Sequence, residues 1–543
     1  MSPRPIRAES PFPDMPAWPV LRAAEITVAP TASLLAACLA AVLTFLSGCE
    51  RASEEVPDCC TEDASRRATD DATAAAPPSS DSPAAAGPPI ILVAVDTLRP
   101  DHLPIYGYTK KTAPALTNLA ESSVVFDRAF TTAPKTAPAF ASLFTGMYPH
   151  RHGLRILGQE LHEENVTLAE RLAAAGYDTA GFVSSTVMID RLSGLAQGFG
   201  HWDDRMPSRE LNRDNYERTA RGTMDAALAW LSATAEAPAP FFLFVHLIDP
   251  HGPYLPPSMF RVRFARRQGP EIDPAKVPEF QRLPGAEVVG DYLDAYDGEV
   301  NYADFELGRL MTELIDREIL DEALVIFTAD HGESFGEDGF WFRHGKTLHE
   351  VSTRIPLVVK PPGGRLESVD PRSAGTVSLI DLAPTILDYA GLDAPTDLDG
   401  LSLRPVLEGR SAARERIVFS ERWLPGRRSW AAHFERGTLY LSGCADGASE
   451  GSEACDETYL GRLSSGKLIE IDKQTATRSQ LRTAVDAFSA RATASSPPFR
   501  VKWRYRPADK KFVKRFVDQH NLEWENLSDA DYESLEKLGY VDD

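Results

Sequence analysis

Basic side chains are in short supply along this chain of 543 residues: 57 Lys and Arg stand against 79 Asp and Glu, a formal net charge of −22. Neutralising phosphates takes clustered cations, so the shortage argues against a nucleic acid partner. The one basic run, Arg500 to Arg515, reads as a solvated surface segment. Cysteine is scarcer still. Of six, Cys38, Cys49, Cys59 and Cys60 precede residue 88, and only Cys444 and Cys455 follow it. That excludes a scaffold built from disulfides, and the spacing is unlike a zinc site. A bilayer-spanning run is missing as well, because the apolar stretch Ser33 to Leu46 falls short of the roughly 20 residues a span requires. No internal repeat is visible. What is present is a hydrophobic fraction of 43%, which suits a globular core and excludes a disordered or fibrous chain.

The N-terminus carries an address. Ser33 to Leu46 has the length of a signal-peptide h-region and runs into Leu46-Ser47-Gly48-Cys49, which resembles the bacterial lipobox. Residues 1–48 are then a leader and signal peptide, with Met15 the more usual start, and Cys49 carries a lipid anchor to the membrane. The expected location is the bacterial cell envelope, facing the periplasm or the exterior. Residues 49–88 are Ala, Ser, Pro, Asp and Glu with almost no large aliphatics, too few apolar groups to offset the entropy of ordering them. They are expected to form a disordered tether. An export signal also permits a disulfide between Cys444 and Cys455.

Folded structure is expected from Pro89. Ile90 to Val95 is a continuous apolar run of the buried parallel-strand kind, and similar runs recur at Phe241 to His246, Ala323 to Thr328 and Pro356 to Val359. Helical patterns lie between them, at Thr167 to Ala175 and Ala303 to Ile319. The alternation predicts an α/β fold with a large, mostly parallel sheet and helices on both faces, spanning 89–395. Short strands at Ile417 to Glu421, Ser429 to His433, Thr438 to Leu441 and Lys467 to Ile471, with a helix at Ser528 to Leu538, predict a smaller α+β subdomain over 396–543.

In such sheets chemistry gathers beyond the carboxyl ends of the strands. Asp96 follows the first run, His246 and Asp249-Pro250-His251 the second, and Asp330-His331-Gly332-Glu333 the third. Carboxylates and imidazoles at one sheet edge are the ligand set of a divalent cation. Thr136, followed by Ala-Pro and a helical pattern, has the signature of a helix N-cap. The same position suits a nucleophile, since a helix N-terminus favours an anion and an adjacent cation activates a hydroxyl.

The motifs resemble the sulfatase family of the alkaline phosphatase superfamily. The residues that carry this are Val95 to Leu103 with Tyr106-Gly107-Tyr108, Ser142 to Gly153, Asp249 to Tyr254, Tyr296 to Val300, Thr328 to Glu333, His344 to Glu350 and Asp381 to Ile386. The resemblance implies an alkaline-phosphatase-like fold and a divalent metal ion (Ca, Mg, Mn or Zn) held by Asp96, Asp330 and His331. It puts Thr136 in the nucleophile's position, with His251, His344 and Lys346 meeting the ester's anionic oxygens or its leaving group. The substrate it implies is a small-molecule, glycan or lipid head-group ester.

Three departures bear on the reaction. True sulfatases oxidise a Cys or Ser to formylglycine within a Cys-x-Pro-x-Arg motif, whereas this chain reads Thr136-Ala-Pro-Ala-Phe140, so no formylglycine is expected. The family's Lys and His are replaced by Gly181-Phe-Val-Ser-Ser185, and the second Asp of the first motif by Thr97. A Thr ester has no second hydroxyl through which to expel the group, so activated water must cleave it. The expectation is a metal-dependent hydrolase of phosphate or sulfate esters, phosphate slightly favoured. The alternatives are a membrane-tethered transferase of the phosphoglycerol type and an inactive sulfatase-fold binding protein.

Overall fold

The computed structural model describes residues 87–501, apart from 157, 210–215, 235–239, 266, 412–414, 425–426, 446–455, 463–467, 471–474 and 495–499. The leader, lipobox, tether, Cys455 and the expected helix at Ser528 to Leu538 lie outside the described residues.

Nine strands form the main sheet: β1 (Ile90–Val95), β2 (Val124–Phe130), β3 (Asp178–Phe182), β4 (His201–Asp203), β5 (Phe241–Leu247), β6 (Leu324–Ala329), β7 (Arg354–Ile355), β8 (Leu357–Lys360) and β9 (Arg372–Ser378). Their order is β7-β2-β8-β6-β1-β5-β3-β4, with β9 paired to β2. β1 lies between β5 and β6, parallel to both, and none of its residues is more than 1% exposed. Burial on both faces is what its unbroken apolar run reports. β8, read from its apolar run as another parallel strand, is antiparallel to both β2 and β6. The run records burial on two faces, which a strand inserted in either direction experiences equally.

Helices flank the sheet in two groups. One contains α1 (Pro114–Glu121), α4 (Ala220–Thr234) and α5 (Val289–Asp316); the other contains α2 (Thr136–Thr145), α3 (Leu168–Ala174) and α6 (Leu382–Tyr389). α3 starts at a capping box in which the Thr167 hydroxyl accepts from Glu170 N, and the Glu170 carboxylate accepts from Thr167 N. α5 begins at Val289, well before the Ala303 that its apolar period marks. Its first half is polar yet buried: Lys110 Nζ donates to Asp294 at 2.8 Å and Asp297 at 2.7 Å, and Asn301 Nδ2 donates to Thr112 O at 2.9 Å. Partners from elsewhere satisfy these groups, so no hydrophobic stripe announces the helix.

The second sheet is wholly antiparallel, with β10 (Val418–Leu424), β11 (Arg427–Phe434), β12 (Gly437–Ala445), β13 (Asp456–Arg462) and β14 (Leu468–Glu470) in sequence order. α7 (Ala476–Ala494) packs on β11 and β12 through Leu481, Val485, Phe488 and Ala492, one helical stripe of buried residues. Cys444 on β12 is buried and disulfide-bonded. β10 joins this sheet to the first domain, where Glu421 N donates to Thr132 O at 2.8 Å and Ser420 Oγ to Thr131 O at 2.6 Å. Among the described residues, no helix is long and apolar enough to cross a membrane.

Candidate active site

Because β1, β5 and β6 are adjacent and parallel, their carboxyl ends open at one edge of the sheet. Asp96 leaves β1 there, its N–H held by Leu247 O at 2.9 Å, and Asp330 and His331 leave β6. One ligand atom from each of these three side chains lies within 4.8 Å of the others, and all three are fully buried. His331 Nε2 is 3.3 Å from Asp330 Oδ2 and 3.9 Å from Asp96 Oδ1. Its Nδ1 meets Gly332 O at 3.0 Å, which keeps the proton on Nδ1 and turns the Nε2 lone pair toward the carboxylates.

This arrangement fits a divalent cation. Asp96 Oδ1 and Asp330 Oδ2 are buried without a hydrogen-bond partner among the described residues, a state that costs free energy unless something charged sits between them. Burial, and then the Asp330 carboxylate, pushes the Asp96 carboxyl well above its usual range. The turn after β1 is strained as well: Thr97, a β-branched residue, has φ of 55°. Three contacts hold it, with Thr97 N donating to Asp330 Oδ1 at 3.2 Å, Tyr296 OH to Thr97 O at 2.8 Å and Arg99 N to Tyr296 OH at 2.9 Å.

Thr136 is not the N-cap its sequence context predicts. Lys135 occupies that place, and Thr136 is the first helical residue of α2. Its hydroxyl turns into the cluster, 3.4 Å from Asp96 Oδ2 and 3.4 Å from His331 Nε2. Phe140, one turn on, stands where the sulfatase motif has Arg. It packs edge-on against His246 with ring centroids 5.2 Å apart, and it lies in the core. Burial pulls the His246 imidazole down to about 4, so it is neutral beside Asp96 Oδ2, 3.5 Å away.

His251, His344 and Lys346 gather above this floor. The His344 ring centroid lies 4.6 Å from that of His331 and 5.1 Å from that of His251. His344 Nδ1 meets Glu333 Oε1 at 3.2 Å, and Tyr254 OH donates to Glu333 Oε2 at 3.3 Å. Burial, then His331, drives the His344 imidazole far below its usual value and keeps it neutral. The half-buried Lys346 ammonium is pulled down to about 8 by burial and then by Lys135. Asp249, also grouped with the strand ends in the sequence, does not join the metal cluster; it accepts from Ala220 N at 2.7 Å, at the start of α4.

The motifs miss other groups that reach the site. Lys135 is hidden by the Thr136 signature beside it, and Arg422 comes from β10, remote in sequence. Glu217 is 1% exposed, pairs through the backbone with Ser185 and adds to the upward push on Asp96. The stretch Gly181 to Ser185, which lacks the family's Lys and His, also reaches this edge. Ser184 Oγ donates to His246 O at 2.7 Å, and Ser185 Oγ is buried without a partner among the described residues.

A family model described as Sulfatase matches residues 88–392, from the start of β1 to the end of α6. The chain belongs to the sulfatase family. It is thereby an ester hydrolase of the alkaline phosphatase superfamily. An arylsulfatase of Clostridium perfringens is 27% identical to this sulfatase-family chain over 392 residues, covering 61% of it and 81% of the relative. A choline-sulfatase of Rhizobium meliloti is 27% identical over 372 residues, covering 59% and 71%. The crystal structure of a phosphonate monoester hydrolase of Agrobacterium radiobacter shares the fold at a TM-score of 0.59 and 20% identity, covering 75% of this chain and 95% of that one.

Proposed function

We propose that this sulfatase-family protein is a metal-dependent ester hydrolase with Thr136 as nucleophile, and that phosphate esters or phosphodiesters are favoured over sulfate esters. The observation that carries the reading is the Thr136 hydroxyl, 3.4 Å from both Asp96 Oδ2 and His331 Nε2 at the N-terminus of a buried helix. A divalent cation held by Asp96, Asp330 and His331 supplies, when bound, a lowered pKa for a neighbouring hydroxyl and a drain for charge on the ester. His331 in the donor set favours zinc or manganese over calcium, which takes oxygen ligands.

Thr136 Oγ gives its proton to solvent and attacks the phosphorus, and the bond from phosphorus to the leaving oxygen breaks as the Oγ–P bond forms. The α2 N-terminus favours the negative charge this brings. Lys346, with its ammonium at about 8, is acid enough near neutrality to protonate the leaving oxygen. His344, neutral beside Glu333, orients the water that then attacks the phosphorus of the Thr136 ester, and that water's proton goes to the departing Thr136 Oγ. Water has to perform this step because threonine has no second hydroxyl. Phosphate chemistry is slightly favoured because the Arg of the arylsulfatase pocket is here Phe140 and its Lys/His pair is absent from the stretch Gly181-Phe-Val-Ser-Ser185.

Turnover of a panel of aryl phosphates, phosphodiesters and sulfates tests the assignment. Thr136→Ser should retain activity, and Thr136→Asn should lose on the order of 10³-fold or more with circular dichroism unchanged. Wild-type turnover in the Asn variant removes Thr136 from the reaction. For the envelope location the support is the lipobox. The protein should fractionate with membranes, and Cys49→Ser should release it or leave it unprocessed; soluble wild-type protein beginning at another residue defeats that reading.

A further inference from the structure

Building on the hydrolase reading, we propose that Lys135 and Arg422, next to Lys346, form a second anion-binding subsite beside Thr136, selecting substrates with an additional negative group on the leaving-group side. The cations come from separate elements and meet around Gly345. Lys135 lies across this residue so closely that a Cβ there would stand 2.7 Å from Lys135 Cε, and Gly345 has φ of 72°, so no larger side chain is accommodated. Arg422 Nε donates to Gly345 O at 2.6 Å, and Lys346 follows in the chain. Arg422 is held there because β10 bonds to the loop leading into Thr136, through Glu421 N to Thr132 O and Ser420 Oγ to Thr131 O.

Other cations in contact with this cleft's supporting elements are paired with carboxylates, Arg99 with Asp101 and Glu337, Lys110 with Asp294 and Asp297. Lys135 and Arg422 have no carboxylate partner among the described residues. Burial, followed by Arg422, pulls the Lys135 ammonium down to about 8, and burial pulls the Arg422 guanidinium to about 10. Like charges brought together, partly desolvated and left without a counter-charge destabilise the fold unless an anion joins them. Lys346 serves the ester's leaving oxygen. The two remaining cations exceed what a single ester requires, and they suit a carboxylate, sulfate or phosphate elsewhere on the same substrate.

The test is calorimetric binding of two non-hydrolysable probes to the metal-loaded protein: benzenesulfonate, with one anionic group, and 3-sulfobenzoate, with two. Wild-type protein should bind 3-sulfobenzoate at least tenfold more tightly. That ratio should collapse toward one in Lys135→Met with Arg422→Gln, and Arg422→Lys should restore part of it. A wild-type ratio of one, or a ratio unchanged in the double variant, overturns the inference. Should the double variant fail to fold, Lys135→Met alone, which removes a repelled charge, must lower the ratio for the inference to stand. The outcome is separable from that for hydrolysis. Ester turnover with a ratio of one breaks only the subsite, whereas a tenfold ratio without turnover supports the subsite and breaks only the hydrolase reading.

Discussion

The floor and the rim of the cleft are built on opposite electrostatic errors. On the floor, Asp96, Asp330, Glu333 and Glu217 crowd carboxylates into full burial, and the Asp96 and Glu333 carboxyls are driven upward, chiefly by burial. On the rim, Lys135, Lys346 and Arg422 crowd cations into half-burial, and all three are driven downward, again chiefly by burial. Neither set neutralises the other: His331 and His344, both buried, stand between them. Among the described residues, Asp96 Oδ1 and Asp330 Oδ2 below have no hydrogen-bond partner, and Lys135 and Arg422 above have no carboxylate. The polar groups that serve the fold look different, because Lys110 donates to both Asp294 and Asp297 of α5.

Breaking the floor should have the larger effect. Asp330→Asn removes one ligand charge and should cut metal content, with affinity falling by on the order of 100-fold or more and turnover falling with it. Metal analysis of the purified variant decides this, and full occupancy with wild-type turnover removes Asp330 from the site. The same substitution sharpens the stability side. A cation at 100 times its dissociation constant stabilises the folded state by about 2.7 kcal/mol, so wild-type Tm should climb on titration with zinc or manganese while the variant's climbs much less.

Breaking the rim should have a small effect of the opposite sign on stability. The folded protein holds the Lys135 proton more weakly than the unfolded chain does. The resulting penalty is full below pH about 8 and fades as pH rises toward the ordinary lysine value of 10.5. Among the described residues, Lys346, Arg422 and His344 are the charged or titratable groups that face Lys135, and none of these is an acid. Lys135→Met should therefore raise Tm by about 1–2 °C at pH 7 and by less at pH 10, a trend that thermal melts across pH check. A fall in Tm would make Lys135 a structural residue.

The difference between floor and rim also explains how far the sequence could be read. Asp96 and Asp330 stood out because each directly follows a run that burial on both faces makes continuously apolar, and the family resemblance narrowed the strand-end carboxylates and imidazoles to these two with His331, which the fold brings together. His251, His344 and Lys346 came from motif resemblance, and the fold brings them to the same edge. Lys135 and Arg422 were not legible, since a lone cation has no periodicity and the contact at Gly345 depends on how β10 docks. Glu217 is hidden for the same reason, its place being set by a backbone bridge to Ser185. The direction of β8 and the true start of α5 were missed because apolar pattern reports burial, leaving strand polarity and satisfied polar surface unmarked.

The docking of β10 on the Thr131–Thr132 loop has a consequence for how this protein can diversify. The segment that carries Asp96, Asp330, His331 and Thr136 ends before residue 396, yet one wall of the cleft is delivered by a strand beyond it. Of the two cations proposed to select charge, Lys135 lies on the same stretch as Thr136 and Arg422 on the later one. On the proposed reading, changes in the second sheet can retune which molecules are admitted through Arg422 while Lys135 and Thr136 stay fixed, and a fragment cut at the family boundary would keep Lys135 but lose its partner from β10.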